Sequence, residues 1–95
     1  WKNIDYLNNG KYVEYYEDGT IKMEVNYIKG ERDGIMFKYY DNKLLKEEWS
    51  YTFGKRNYVK KYYPTGILKS EWFYQNGEEV EKNEYDKLGQ LKTKK

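Results

Sequence analysis

The sequence predicts an all-β protein, an elongated and twisted antiparallel β-meander built from tandem hairpin repeats of 23–24 residues. Two observations predict this fold. The same residue types return at a nearly constant spacing along the chain, as they do in repeat proteins. Within each unit, apolar and polar residues alternate with a period of two, which is the period of a strand that turns successive side chains to opposite faces.

The repeat is defined by a turn position that holds Gly19, Lys43, Gly66 and Gly89, at spacings of 24, 23 and 23 residues. A tyrosine precedes this position by four residues, and a lysine follows it by three. These columns contain Tyr15, Tyr39, Tyr62 and Tyr85, and Lys22, Lys46, Lys69 and Lys92. Because several columns align under one spacing, the pattern indicates a true repeat array rather than a biased composition.

This register divides one predicted array into five parts. They are a partial unit at residues 1–14, repeats at residues 15–38, 39–61 and 62–84, and a partial unit at residues 85–95. A chain of 95 residues forms one domain or one fragment of an array. Since it starts inside a unit and lacks an initiator methionine, we expect further sequence upstream of Trp1.

Glycine, asparagine and aspartate mark the predicted turns. Asp18-Gly19 and Thr65-Gly66 fit two-residue hairpin turns, because glycine adopts a positive φ without strain. Lys43 occupies the same column and should carry a small strain there. The second turn of each unit falls at Lys29-Gly30, Phe53-Gly54 and Asn76-Gly77. Between these turns the segments that begin at Ile21, Leu45 and Leu68 predict strands.

Two-residue turns would fix which residues pair across each hairpin. One face would pair Tyr16 with Ile21, Tyr12 with Val25, Met36 with Trp49, and Val59 with Trp72. The other face would pair Tyr15 with Lys22, Tyr39 with Lys46, and Tyr62 with Lys69. Together with Tyr85 and Lys92, these residues form a predicted Tyr–Lys ladder. It is the candidate binding face, although such a ladder also serves strand pairing and solubility.

Composition excludes several classes of function. The chain contains no cysteine and no histidine, so disulfides, thiol chemistry and the commonest general base and metal ligand are missing. The column of Glu24, Glu48 and Glu71 recurs on every second strand at roughly 10 Å, which exceeds the spacing of a glycosidase carboxylate pair. We therefore predict no catalytic residues, no metal site and no cofactor. A net charge of +2 argues against nucleic acid as a partner.

The repeat resembles the bacterial variant of the MORN repeat (membrane occupation and recognition nexus). The matching pattern is Tyr-Tyr-x-x-Gly-x-Leu-Lys-x-Glu-x-x-Tyr-x-x-Gly-x-x-x-Gly. Residues 15–34 fit every position, with Ile21 in place of leucine. Later units depart at Lys43, near Asn57, around Glu79–Val80, and at Asp86, which replaces the second tyrosine. The resemblance implies an elongated meander of hairpins, and bacterial members of the family are often labelled as antitoxins of toxin–antitoxin pairs.

Classical members of that family occur beside lipid-kinase domains, but this chain has neither a glycine-rich phosphate loop nor a catalytic Asp–Asn loop. The leading hypothesis is therefore a non-enzymatic array for protein–protein interaction or scaffolding, which could be antitoxin-like, with an unidentified protein partner. The alternative is a module that associates with membrane surfaces. Oligomers could form through open sheet edges. The lysine-rich, alanine-free composition favours a bacterial source, with a cytoplasmic or exported location left open.

Overall fold

A computed structural model of the chain describes residues 9–94. They form one open antiparallel sheet in which each strand pairs with its neighbours in sequence. The strands are β1 (Asn9–Tyr15), β2 (Ile21–Ile28), β3 (Glu31–Tyr39), β4 (Leu45–Thr52), β5 (Lys55–Tyr62), β6 (Leu68–Gln75), β7 (Glu78–Tyr85) and β8 (Leu91–Lys94). The predicted all-β meander is confirmed. Trp1 and most of the predicted first partial unit lie outside the described residues.

The sheet is a single layer. Its principal extents are 43 × 37 × 15 Å, and the shortest of them is the thickness of one sheet with its side chains. No helix capable of crossing a membrane occurs within residues 9–94. Because no second layer packs on the sheet, stability must come from contacts between neighbouring strands and from side chains that lie along the two faces.

Two kinds of turn alternate along the array. The second turn of each unit lies at the predicted positions, Lys29-Gly30, Phe53-Gly54 and Asn76-Gly77. It is a two-residue type I′ turn, in which both residues have positive φ. Their backbone twist matches the right-handed twist of the strands. In these turns a non-glycine residue takes the first left-handed position and glycine takes the second.

The first turn of each unit differs from the prediction. The amide of Tyr16 donates to the carbonyl of Thr20 at 2.8 Å, and the amide of Gly19 donates to the carbonyl of Tyr16 at 2.9 Å. This pattern is a three-residue loop that ends in a left-handed residue, Gly19 with φ 89°. The predicted two-residue turns at Asp18-Gly19 and Thr65-Gly66 are therefore wrong. Asp18 instead accepts hydrogen bonds from the backbone and hydroxyl of Thr20.

Lys43 holds the left-handed position of the second unit, with φ 74°. A left-handed conformation costs an L-residue about 1–2 kcal/mol, and glycine at this position would remove that cost. Glycine also has more conformational freedom in the unfolded chain, which offsets part of the stabilisation. Lys43→Gly should therefore stabilise the chain by about 0.5–1 kcal/mol in denaturant unfolding.

The reverse substitution provides the control for Lys43. At Gly66, with φ 96°, an added Cβ would meet no heavy atom within 4 Å, so Gly66→Lys tests the backbone conformation without a steric clash. It should destabilise the chain by a similar amount. Equal stability of both variants and the parent would contradict the assignment of strain.

Each unit also carries a bulge directly after its three-residue turn. Glu14 pairs with Met23, but the next residue, Tyr15, pairs with Ile21, so that Lys22 is the extra residue on its strand. The same shift makes Lys46, Lys69 and Lys92 extra residues in their strands. The predicted pairs that lie beyond the bulge are correct, including Tyr12 with Val25, Met36 with Trp49, and Val59 with Trp72.

The predicted pairs nearest the turn are wrong. Tyr15, Tyr39 and Tyr62 pair with Ile21, Leu45 and Leu68, not with lysines, and Tyr16 lies opposite Thr20 rather than Ile21. The cause is the combination of a longer loop and a bulge, which together move the lysine out of line with the tyrosine. Both features add a residue that the alternation of apolar and polar residues does not reveal.

One face of the sheet, here called the core face, carries the most buried apolar side chains. Val25 and Val59 are each 2% exposed, and Met36 and Tyr51 are also buried. Trp49 and Trp72 lie on this face opposite Val59, so the prediction that they share a side is confirmed. The residue directly before each tryptophan, Glu48 or Glu71, lies on the opposite face. The core is therefore a single row of buried side chains along one face of the sheet.

Tyrosine hydroxyls join each unit to the next across an intervening strand. Tyr16 donates to the carbonyl of Tyr39 at 2.7 Å, Tyr40 to that of Tyr62 at 2.6 Å, and Tyr63 to that of Tyr85 at 2.8 Å. In every case the second tyrosine of a Tyr-Tyr pair, or its equivalent, reaches the first tyrosine one unit later. We call these three hydrogen bonds the inter-repeat bonds. Asp86 occupies the next such position and binds the amides of its own turn instead.

Candidate functional site

The tyrosines of the predicted ladder contact glutamates rather than lysines. The hydroxyl of Tyr39 donates to Glu24 at 3.4 Å, and that of Tyr85 donates to Glu71 at 2.7 Å. Tyr15 is 61% exposed. The column of glutamates that could have suggested paired catalytic carboxylates thus accepts hydrogen bonds from tyrosines of the following unit, on the face opposite the core face.

The lysines of the predicted ladder lie over a different set of rings. The ammonium groups of Lys22, Lys46 and Lys69 lie 5.6–5.8 Å from the ring centroids of Tyr16, Tyr40 and Tyr63, the donors of the inter-repeat bonds. Lys92 is exposed. In the structure, tyrosines of the predicted Tyr–Lys ladder therefore contact glutamates, and its lysines contact the second tyrosine of each pair. The tyrosines and lysines of the ladder do not pair with each other. Whether these residues bind a ligand stays a prediction.

The Tyr–Glu contacts change the ionisation of several tyrosines. Burial and the hydrogen bond to Glu48, 2.5 Å long, raise the pKa of Tyr58 to about 12. Burial also raises the pKa of Tyr39 and Tyr62, with Glu24 and Glu48 adding to the effect. A tyrosinate beside a glutamate would place two negative charges together, so the neutral phenol is favoured.

This raised pKa predicts a loss of stability at high pH. A phenol of the unfolded chain ionises near pH 10, and Tyr58 in the folded chain does so at about 12. The folded state therefore holds the phenol proton of Tyr58 more tightly than the unfolded chain does. The contribution of this proton to stability is complete below pH 10 and is lost as the pH rises through 12. Unfolding monitored between pH 9 and 12 should show this decline, and Tyr58→Phe should make it smaller. A decline that is unchanged in Tyr58→Phe would contradict the assignment.

A cleft on the core face was missed by the sequence analysis. It lies over β5, between aromatic rings of β4 and β6, and has a volume of about 180 Å³. We call this cleft the aromatic trough. Its lining residues are Trp49, Arg56, Val59, Lys61, Trp72 and Tyr74. The aromatic trough brings three aromatic rings and two cationic side chains together in a concave surface.

Cations lie against the rings of the aromatic trough. The ammonium groups of Lys61 and Lys82 lie 5.3 and 5.2 Å from the ring of Trp72, and the guanidinium of Arg56 lies 4.7 Å from the ring of Tyr74. Cation–π contacts of this kind hold the rings and the positive groups in place. The rings of the trough thus carry positive groups beside the buried side chain of Val59.

A sequence pattern could have identified this site. Arg32 and Arg56 both stand two residues after the glycine of a type I′ turn, and each lies over a tyrosine of the following strand, Tyr51 and Tyr74. The lysine column predicts a binding face at the other end of the hairpins. The arginine column is incomplete, because Glu79 takes the same position in the third unit.

Beyond the aromatic trough, the described residues form other clefts but no cluster of metal ligands. Residues 9–94 contain no group of three or more histidine, cysteine, aspartate or glutamate residues that could hold a metal ion. Three further clefts, with volumes of about 260, 380 and 330 Å³, lie at the hairpin ends and are lined by turn residues together with the strand residues next to them. They are larger than the aromatic trough, and each is lined by one aromatic residue, whereas the trough is lined by three.

Comparison with protein families gives one match. A family model described as MORN repeat variant matches residues 8–29, 32–52 and 57–76, which together make up well over half of the chain. Each matched segment corresponds to one hairpin with a three-residue turn, β1–β2, β3–β4 or β5–β6. Comparisons with curated proteins and with solved structures gave no significant match.

Proposed function

Because the chain belongs to the MORN repeat variant family, a family of non-catalytic repeats that commonly serve in interaction or membrane association, we propose that it is a non-enzymatic protein–protein interaction or scaffolding module. The observation that supports this proposal is the single-layer sheet, only 15 Å thick, which leaves both faces open to a partner. On the core face, Trp49 and Trp72 are only half-buried. Tryptophan is enriched among residues that dominate binding energy at protein interfaces.

The proposal can be tested by affinity capture from a native lysate of the source cells. The immobilised chain should recover a protein partner in stoichiometric amount. The predicted binding face is tested in the same experiment with Lys22→Gln, Lys46→Gln and Lys69→Gln combined in one variant, which should recover less of that partner. Circular dichroism establishes that the variant is folded. If the wild-type chain captures no stoichiometric partner at any salt concentration, the proposal fails.

A more specific form of the proposal is an antitoxin-like role, in which the partner is a toxin whose activity the chain blocks by binding. It can be tested by expressing the product of the adjoining reading frame in a bacterial host, alone and together with the chain. Growth arrest that the chain relieves, with a complex that co-purifies, would support the role. A neighbour that is harmless when expressed alone would contradict it.

The alternative is association with a membrane surface. It is favoured by the lysines that lie over aromatic rings in three successive units, because basic and aromatic side chains together suit the interface of an anionic membrane. Co-sedimentation with vesicles containing phosphatidylserine tests it. If the chain stays in the supernatant even at low salt, the membrane alternative is removed and the protein-interaction proposal remains.

A further inference from the structure

We propose that Asn76 is a site of spontaneous covalent modification, at which the side-chain amide is lost as ammonia and aspartate or isoaspartate is formed. Asn76 and Gly77 are the two exposed residues of the type I′ turn between β6 and β7. Gly77 lies in open space, since an added Cβ would meet no heavy atom within 4 Å beyond its neighbours in the chain. This modification is independent of the proposed function, because it needs no partner.

The reaction joins the backbone to the side chain of the preceding residue. The amide nitrogen of Gly77 attacks the side-chain carbonyl carbon (Cγ) of Asn76, and the new C–N bond closes a five-membered succinimide ring. The bond between Cγ and Nδ2 breaks, and the amide proton of Gly77 leaves with Nδ2 as ammonia. One water molecule then opens the ring at either carbonyl, which gives aspartate or isoaspartate without oxidation or reduction. Glycine favours the attack, because it has no side chain to hinder the close approach of its backbone.

The resting conformation of the turn does not allow the ring to close. In a type I′ turn ψ of the first residue is about +30°, which directs the next amide nitrogen away from the Cβ of that residue. In a type II′ turn ψ is about −120°, and the nitrogen lies beside Cβ. Both turns fit a two-residue hairpin, and they differ by a flip of the peptide unit between the two turn residues. Modification of Asn76 therefore requires that this peptide unit can rotate.

The corresponding turn of the preceding unit is held against such a flip. The amide of Gly54 donates to the carbonyl of Arg32 at 3.0 Å, and the amide of Phe53 donates to a carboxylate oxygen of Asp33 at 3.3 Å. Gly54 is also closely packed, since an added Cβ would lie 2.9 Å from Oε2 of Glu31. A flip of the peptide unit between Phe53 and Gly54 would turn the amide away from Arg32 and break the hydrogen bond.

The turn at Asn76 and Gly77 lacks both anchors. Within residues 9–94, no hydrogen bond joins either of its two amides to the preceding unit. Asn57 occupies the anchoring position of that unit, but its Nδ2 atom donates to the hydroxyls of Ser50 and Thr52, at 3.2 and 2.9 Å. The peptide unit between Asn76 and Gly77 can therefore flip without the loss of a hydrogen bond to the preceding unit.

The chain contains a second Asn–Gly sequence, Asn9-Gly10. It lies in β1, where both residues pair with β2, and Oδ1 of Asn9 accepts from the amide of Lys29 at 3.2 Å. Strand pairing holds the backbone of Asn9, and this hydrogen bond holds its side-chain amide. We therefore expect Asn9 to react more slowly than Asn76 in the folded chain.

Conversion of Asn76 would change the charge of a cleft at one end of the sheet. The cleft has a volume of about 330 Å³, and its lining includes Asn76 together with Lys55 and Arg56. A carboxylate at this position would lie in the same cleft as the two cationic side chains and would add one negative charge to a net charge of +2. Isoaspartate would also lengthen the backbone of the turn by one carbon, next to the pair of Gln75 and Glu78.

The test is incubation of the folded chain at mildly alkaline pH, followed by ion exchange and by peptide mapping with mass spectrometry. The wild type should accumulate an acidic species whose aspartate and isoaspartate lie at residue 76. Ammonia released in step with this species is a second readout. Asn76→Gln should form much less of the species, because its longer side chain would have to close a six-membered ring.

Phe53→Asn provides the matched control. It places an Asn–Gly sequence in the anchored turn, at a residue that is 68% exposed, so the fold should be kept, as circular dichroism can establish. Asn76 in this variant should react as in the wild type. The substituted position should react about tenfold more slowly, the factor expected when one hydrogen bond must break before the flip. In concentrated urea, where no turn is anchored, all the Asn–Gly sequences should react at similar rates.

Two outcomes would overturn the proposal. If the position substituted in Phe53→Asn reacts as fast as Asn76 in the folded chain, the hydrogen bond to Arg32 does not control the reaction. If Asn76 in the folded wild type reacts no faster than Asn9, while both react in urea, the turn protects the side-chain amide of Asn76. The second comparison needs no variant, so it holds even if Phe53→Asn does not fold.

Discussion

Val25→Asp is expected to leave most of the chain unfolded under conditions in which the parent is folded. Val25 is 2% exposed and forms the buried cluster of the core face with Met36 and Tyr51, while Tyr12 and Trp49 pack against it. An unpaired buried charge costs about 3–5 kcal/mol. The whole stability of a chain this long is roughly 5–14 kcal/mol, and a single-layer sheet has little apolar burial to spare. Urea unfolding followed by circular dichroism measures the loss.

The control for Val25 is the same change at Val80, which is 58% exposed at a bulge in β7. Val80→Asp leaves its carboxylate in water and should cost less than about 0.5 kcal/mol. If the two variants lose the same stability, the fold does not depend on the buried row of the core face.

Removing the hydroxyls of all three inter-repeat bonds is expected to have the second-largest effect. The combined variant Tyr16→Phe, Tyr40→Phe and Tyr63→Phe keeps the rings and loses only the three donors. Each hydrogen bond contributes about 0.5–1.5 kcal/mol, and the sites are far enough apart for their effects to add, so we expect a total of about 1.5–4.5 kcal/mol. Because each bond joins one unit to the next, the slope of the urea transition should also fall as cooperativity between units is lost.

Tyr15→Phe is the matched control for the triple variant, since its ring is 61% exposed and stands next to Tyr16 in sequence. It should change the stability by less than about 0.5 kcal/mol. If the triple variant is as stable as Tyr15→Phe, the three hydroxyls bind water as favourably as they bind the carbonyls. The inter-repeat bonds would then not stabilise the contacts between units.

Features that depend on the period of the side chains could be predicted from the sequence. The order of the strands, their antiparallel pairing and the shared face of Trp49 and Trp72 all follow from an alternation of period two combined with turns at regular spacing. The type I′ turns could be located because glycine at their second position has few alternatives in so short a loop.

Features that depend on one extra residue could not be predicted. A glycine with positive φ fits the end of a three-residue loop as well as a two-residue turn, so Gly19 and Gly66 do not reveal which loop they close. The bulge that follows has no residue type of its own, because Lys22 suits a paired position and an extra position equally. The three-residue loop and the bulge together shift the register near the turn, so that each tyrosine of the predicted Tyr–Lys ladder pairs with Ile21, Leu45 or Leu68 in place of a lysine.

The candidate site was missed for a related reason. Repeat columns direct attention to residues that recur in every unit, whereas Arg56 and Lys61 of the aromatic trough recur in one other unit, as Arg32 and Lys38. Single-sequence analysis ranks such residues low. Their proximity becomes visible only when β4, β5 and β6 are placed side by side.

The inter-repeat bonds have a consequence for how such a protein can change in size. Each link uses an identical donor and an identical acceptor, one unit apart. Excision of residues 39–61 would present the hydroxyl of Tyr16 with the carbonyl of Tyr62, an acceptor of the kind it already uses. The units are therefore interchangeable. The sheet could lengthen or shorten in steps of one unit, and every remaining contact between units would keep its geometry.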